Sequence, residues 1–440
     1  HVPLGNLGND ENTVLFDVGM MRMIEKNLAV SWASTMPGRP DLGVEHMPTS
    51  DGGQFPLSDG ELNSFTQDDV WGDDNELVSP VIRKPGTYRS ICVDVDIQDL
   101  AIAALTDAPD TPTSLGGVGP SSPASVAGFP TSDFGKMSVP LGDEMATSIS
   151  LPMLRALVAT WLRDAFNSNS LVADELLHHV YRLVSSPEAF LHDPALHRIV
   201  HSLMKSAFLR LLAELQRLGC TVVHASFHRI TVATNKLQLG DAEEFINFVI
   251  STARNRAAAV SEHGDALSKI TLRPRQFHSH FVFLDEYNFG TMLLERVPLD
   301  SVDDEGDVVL QRDDKNAVVA MVLSAWSMME YFGSEMAQEY FRIIIGRFSK
   351  DPMKKQISLK ESYEGLPIAG MGESDNQLAE YRKKMISKNF ASYLTRAVSE
   401  IAKDGFDEST IPRHISSHFK PVSPVLEFIK SVATVLELDT

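Results

Sequence analysis

Residues 195–236 read ALHRIVHSLMKSAFLRLLAELQRLGCTVVHASFHRITVATNK, and this stretch decides the fold. Its first half spaces Leu196, Ile199, Val200, Leu203, Met204, Phe208, Leu211, Leu212 and Leu215 at a 3.6-residue period. That period predicts one long amphipathic helix over 195–218. Gly219 ends it as a C-cap, because glycine adopts the left-handed backbone without a Cβ clash. Strands follow at once over Thr221–Ser226 and Arg229–Thr234, too close together for anything but a tight hairpin. A long helix running straight into an antiparallel hairpin argues an α/β (α+β) chain with an antiparallel sheet.

Working outward, Tyr88–Asp96 alternates as a strand and Leu100–Leu105 continues as a helix. Leu151–Phe166 and Val172–Val184 form a helical pair broken at Asn167–Ser170. Val14–Ile24 reads as a strand or short helix, and Leu28–Trp32 as a strand. Residues 36–80 are an acidic surface insert rich in Pro, Gly and Asp. Residues 106–147 are low-complexity, with too little apolar area to offset the entropy of ordering them, and are expected to be a disordered loop. Downstream, Ala242–Asn255 is a helix, and Lys269–Leu272, His278–Leu284 and Thr291–Leu294 are strands. Beyond Asp314 the chain reads as mostly helical: Asn316–Phe332, Glu335–Phe348, Gln377–Lys403 and Pro424–Glu437.

Bulk composition narrows the function classes. The 440 residues exceed one ordinary core, so more than one lobe is expected. No apolar run approaches the roughly 18–20 residues of a membrane helix, so no membrane partner is expected. The start, His1-Val2-Pro3-Leu4-Gly5-Asn6, lacks the pattern of a secretory signal and an initiating Met, and reads as a cut from a longer chain. Two cysteines, Cys92 and Cys220, are too few for a disulfide scaffold or a Cys-rich metal site, and fit a reducing compartment. A net charge of −20 opposes long-range attraction to nucleic acid, although a local basic groove stays compatible with it.

The stretch at 203–236, together with Leu4-Gly5, Arg39-Pro40-Asp41-Leu42-Gly43 and Phe283-Leu284-Asp285-Glu286-Tyr287-Asn288-Phe289-Gly290, resembles the family-B DNA polymerases. It is most similar to the non-catalytic second half of the polymerase epsilon large-subunit family. The resemblance covers roughly 1–45 and 80–300. It implies a degenerate palm with an antiparallel sheet, helical fingers and a mostly helical thumb. Residues 1–80 would be the end of an exonuclease-like region with its acidic insert, 81–105 the first palm segment and 106–147 an insert. Residues 148–194 would be fingers-like helices, 195–300 the palm and 301–440 a thumb-like helical region.

Family-B nucleotide transfer uses two magnesium ions held by two palm aspartates. The first lies in the pattern Asp-x-x-Ser-Leu-Tyr-Pro-Ser, matched here by 96–103: Asp96 and Leu100 remain, and the tyrosine is Ala101. The second lies in Tyr-Gly-Asp-Thr-Asp-Ser, matched by His224–Arg229, where both acids are gone and Ser226 and His228 stand instead. Magnesium prefers carboxylate and water oxygens, so serine and histidine are poor replacements, and Arg229 adds a cation beside them. The Lys-x-Tyr word that supports a primer end is Asp285-Glu286-Tyr287, an anion at the DNA. The fingers helices carry no Lys followed by Asn-Ser-x-Tyr-Gly. The resemblance therefore implies no catalytic residue, no metal and no cofactor here. It implies a nuclear scaffold that links a leading-strand polymerase to the replicative helicase and to the second polymerase subunit, with DNA contact weak or absent. The Cys-rich zinc modules that follow in the family are not in this sequence, which weakens the second-subunit contact. Two alternatives stay open: a nucleotidyl transferase with a metal site rebuilt around Asp94, Asp96 and His228, and a non-specific DNA clamp.

Other candidates carry a structural reading beside the chemical one. Asp94 and Asp96 share a strand face and form either a residual single-metal site or a strand end that meets Arg229, the second being favoured. The pairs His278/His280, His197/His201 and His414/His418 have the spacing of two zinc ligands but no third, and read as structural. Cys92 and Cys220 lie in or beside strands expected to be neighbours, and read as buried free thiols. The cluster Trp326, Tyr331, Phe332, Tyr340 and Phe341 is either a partner patch or core. The basic groups Arg273–Arg275, Lys354-Lys355 and Arg382-Lys383-Lys384 read as solvated faces.

Overall fold

The computed structural model describes residues 11–31, 79–107, 141–186, 189–260, 269–298, 308–312, 316–363, 371–405 and 423–438. The expected insert at 36–80 lies outside these almost entirely, as do 108–140 of the expected disordered loop and the His414/His418 pair. The described chain is mixed α/β with an antiparallel sheet and many helices. It divides into two compact units, His1–Pro80 with Ile97–Leu218 and Val249–Leu272, and Val81–Asp96 with Gly219–Phe248 and Arg273–Thr440.

The first unit is helical. Its helix Glu11–Lys26 settles the ambiguous reading of Val14–Ile24, because Phe16 and Met20, four apart, are both buried on one face. The strand expected at 28–32 does not form over its described part: Leu28 turns at φ 54°, and its N–H closes the helix end on the Glu25 carbonyl at 3.1 Å. Gly19 lets this helix approach Leu141–Ser168, since a Cβ there would lie 3.1 Å from Leu157 Cδ1. Leu141–Ser168 begins inside the expected disordered loop, because Glu144, Met145 and Ala146 are strong helix formers at the end of the Pro/Gly-rich run. The break expected at 167–170 is present: Ser170 Oγ accepts from Ala173 N as N-cap of Leu171–His178, and Val180–Ser185 follows. Pro194–Arg217 is the long helix, capped by Asp193 Oδ1 accepting Ala195 N at 3.0 Å, and its apolar stripe is core. Asp17 is buried and accepts the Phe190 and Leu191 amides at 2.9 and 3.1 Å. Burial pushes its carboxyl above the usual range, and those two amides partly offset the rise.

The second unit is built on strands β1 (Ile82–Arg83), β2 (Gly86–Tyr88), β3 (Cys92–Gln98), β4 (Thr221–Ala225), β5 (Arg229–Ala233), β6 (Thr271–Asp285), β7 (Asn288–Pro298), β8 (Val308–Arg312) and β9 (Asn316–Trp326). Their order is β1-β4-β5-β3-β6-β7-β9-β8, with β2 paired to β6. Three expectations change here. The two strands expected between 269 and 284 are one continuous β6. Asn316–Trp326 is a strand rather than a helix: Val318, Val319 and Val322 suit a pleated surface, and the strand pairs with β7 in register from Asn288↔Trp326 to Pro298↔Asn316. With β8 also present, the region after 301 is not mostly helical until Ser327. Finally, Cys92 on β3 and Cys220 before β4 are not on neighbouring strands, because β5 lies between them; both thiols are free and buried.

The helices Glu335–Tyr363, Met371–Lys384, Ala391–Asp404 and Pro424–Glu437 complete this unit. The helix expected over 377–403 is interrupted by a π-wound turn at Met385–Phe390. Trp326, Phe332, Phe341 and Phe428 form the centre of a core with edge-on ring contacts of 5.4–6.2 Å. Core packing thus accounts for Trp326, Phe332 and Phe341; Tyr340 is partly buried against them and Tyr331 is exposed.

Candidate functional site, a neutralised carboxylate pair

The hairpin read from the sequence brings its residues onto β3. In register, Asp94 faces Thr231 and Asp96 faces Arg229. The shared face of Asp94 and Asp96 on β3 is therefore met by the side chains that alternate with the same period on β5. From the other side of β3, β6 supplies Arg275 and His278.

Asp94 is buried at 7% exposure. Its carboxylate accepts the Thr231 hydroxyl at 2.6 Å and meets His278 Nε2 at 3.4 Å and Arg229 Nη1 at 3.6 Å. Burial alone would raise this carboxyl; the His278 contact, the Thr231 hydrogen bond and the Arg229 charge together outweigh it and hold it below the usual range. Asp96 meets Arg229 Nε at 3.5 Å and Arg275 Nη1 at 3.4 Å. Arg229 thus spans both carboxylates.

The remaining expected positions have local structural roles. Ser226 closes the β4–β5 turn: its N–H donates to the Arg229 carbonyl at 2.8 Å and its Oγ accepts the Arg229 N–H at 3.3 Å. His228 is exposed at the turn, while Phe227 is buried beneath it. Ala101 is buried in the helix Leu100–Asp107. Asp285 caps the β6–β7 turn, accepting Tyr287 N at 2.8 Å and Asn288 Nδ2 at 3.0 Å. Neighbouring Glu286 pairs with Arg83 on β1, and Tyr287 is exposed.

The residues present do not fit a pair of magnesium ions. Two guanidiniums lie against the carboxylates where cations would have to bind, and the hairpin offers a serine already spent on its own turn. Among the described residues no group of three or more His, Cys, Asp or Glu could hold a metal ion. A bulge between Ser279 and Val282, with His280 at φ 50°, breaks the shared face of His278 and His280; the latter's Nδ1 lies 2.9 Å from Ser279 Oγ. His197 and His201 flank Tyr181, with its hydroxyl 2.7 Å from His201 Nδ1 and 3.4 Å from His197 Nε2. Burial and the neighbouring histidines push His197 down to about 4.

The fold and site define an α/β protein whose antiparallel sheet carries a paired-carboxylate position occupied by its own arginines. The chain belongs to the family described as "Domain of unknown function (DUF1744)", whose model matches residues 1–292. It is also similar, along its whole length, to DNA polymerase epsilon catalytic subunits. Identity is 28% to one from Arabidopsis thaliana over 100% of this chain, and 24% to one from Aspergillus fumigatus over 99%. It is 22% to one from Saccharomyces cerevisiae over 100% of this chain. This chain spans only 18% of each of those relatives. Among the described residues no helix is long and apolar enough to cross a membrane.

Proposed function

We propose that this chain is a degenerate polymerase palm, with its fingers and part of a thumb, that serves a replicative DNA polymerase as a non-catalytic scaffold in the nucleus. In this reading it comes from the C-terminal half of the polymerase's large chain. It links the polymerase to the replicative helicase and to the second subunit. The six-segment division from exonuclease-like end to thumb-like region belongs to the same proposal. One observation carries it: Arg229 and Arg275 meet Asp96 at 3.5 and 3.4 Å, so internal cations already neutralise the one palm carboxylate left for two-metal chemistry. Similarity to catalytic subunits of polymerase epsilon supplies the context.

The test is primer extension by the 440-residue protein in magnesium or manganese, beside capture of helicase components from a replication extract. No extension together with helicase capture is expected. Extension that disappears in Asp96→Ala would establish a working transferase instead, and salt-sensitive primer–template binding without helicase capture would establish a DNA clamp.

A further inference from the structure

The helices after the sheet line a half-open hollow of about 420 Å³, within the size range of ligand sites. Its apolar lining is Ile344, Met385 and Phe390, and its charged lining is Arg347, Arg396 and Asp351. Part of its wall is the π-wound turn Met385–Phe390, a distortion that recurs at functional sites.

Both arginines are held in place by a chain of contacts. Arg347 lies over the Tyr393 ring at 5.6 Å, and Tyr393 meets Tyr340 edge-on at 5.5 Å. The Tyr340 hydroxyl donates to Glu400, which accepts Arg396 Nε at 2.9 Å. Among the described residues, the terminal amino groups of Arg396 and all nitrogens of Arg347 lack a protein acceptor. The pocket therefore offers two positioned guanidinium edges at its rim.

We propose that this pocket binds a carboxylate-bearing side chain of an acidic peptide segment on a partner protein. Asp351 reduces the lining charge from two positive groups to a net of one, which matches a carboxylate better than a phosphate dianion. Nucleic acid is disfavoured because phosphate backbones need several cations in a row.

The experiment is fluorescence anisotropy of the whole 440-residue chain with a labelled, capped peptide of alternating glutamate and leucine. The same peptide with glutamine for glutamate, a phosphoserine-and-leucine peptide and a single-stranded oligonucleotide run beside it. The glutamate peptide should bind best. Arg347→Gln and Arg396→Gln should each weaken it about tenfold, the loss of one charge-assisted hydrogen bond. Asp351→Asn should tighten it about threefold by removing a like charge. The two arginine side chains are exposed, so thermal melts of these variants should match the parent and exclude misfolding as the cause. Equal binding of the glutamine peptide, stronger binding of the phosphopeptide or oligonucleotide, or no binding of any probe would overturn the assignment.

Discussion

Replacing Asp94 by asparagine tests the neutralised pair where its energetics concentrate. The substitution keeps the shape and the 2.6 Å partner Thr231, but removes the charge that faces His278 at 3.4 Å and Arg229 at 3.6 Å. A hydrogen bond to a charged group contributes about 1.5–3 kcal/mol. The two long contacts merit the low end, and Arg229, 41% exposed, is discounted further for solvent screening. The new amide also adds a donor without a designed acceptor. Together these give a loss of about 2 kcal/mol at neutral pH. The pH dependence has a fixed sign. A carboxyl held below its unfolded value of about 3.9 contributes stability that is present above that value and lost as pH falls through the folded one. The gap between parent and Asp94→Asn should therefore be full at pH 6 and close below about pH 4. Urea unfolding of both proteins from pH 7 to pH 3 reads this directly. An asparagine variant as stable as the parent at pH 7, or a gap that persists unchanged in acid, would refute the reasoning.

Other outcomes follow from the same geometry. Removing Arg229 and restoring acids in one triple variant, Ser226→Asp, His228→Asp and Arg229→Ala, should create manganese binding visible as paramagnetic line broadening, absent in the parent. His197, held down to about 4 against about 6.5 when unfolded, should make the helical unit lose stability as pH falls from 6.5 toward 4. After a discount for its partial solvent screening, His197→Gln should remove about 2 kcal/mol of that acid sensitivity in pH-dependent melts. Phe341→Ala, at a fully buried ring, should lower unfolding free energy by about 3–5 kcal/mol in urea titration. Gly19→Val should cost about 1–3 kcal/mol by the same assay, because even a Cβ there would lie 3.1 Å from Leu157.

The elements legible in the sequence were those whose signals are local. The stripe from Leu196 to Leu215, the stop at Gly219 and the hairpin after it needed no distant information. The Arg229–Asp96 contact was within reach only through the palm resemblance, which sets the first strand beside the hairpin; alternation on β5 and β3 then fixes which side chains share a face. Asn316–Trp326 was misread because an apolar run of Ala, Val, Met and Leu has no distinctive period. What makes it a strand is β7, whose edge it covers over eleven residues. The part of Thr231 in the site, and the convergence of His278 and Arg275 on it, stayed hidden because they depend on β3 lying between β5 and β6. Neither neighbour relation has a local signature.

The Asp94–Thr231 hydrogen bond joins residues 137 positions apart, and nearly all of the intervening chain through Leu218 belongs to the helical unit. On the ribosome, the first strand of that contact therefore emerges long before its partner is synthesised. Unpaired meanwhile, β3 holds buried Cys92, Val93 and Val95 as an exposed edge capable of pairing with another chain. The helices up to Leu218 are synthesised before the hairpin, while Val249–Leu272, part of the same unit, follows it. The hairpin is thus added after the inserted helices, and β6 to β9 with the C-terminal helices follow it.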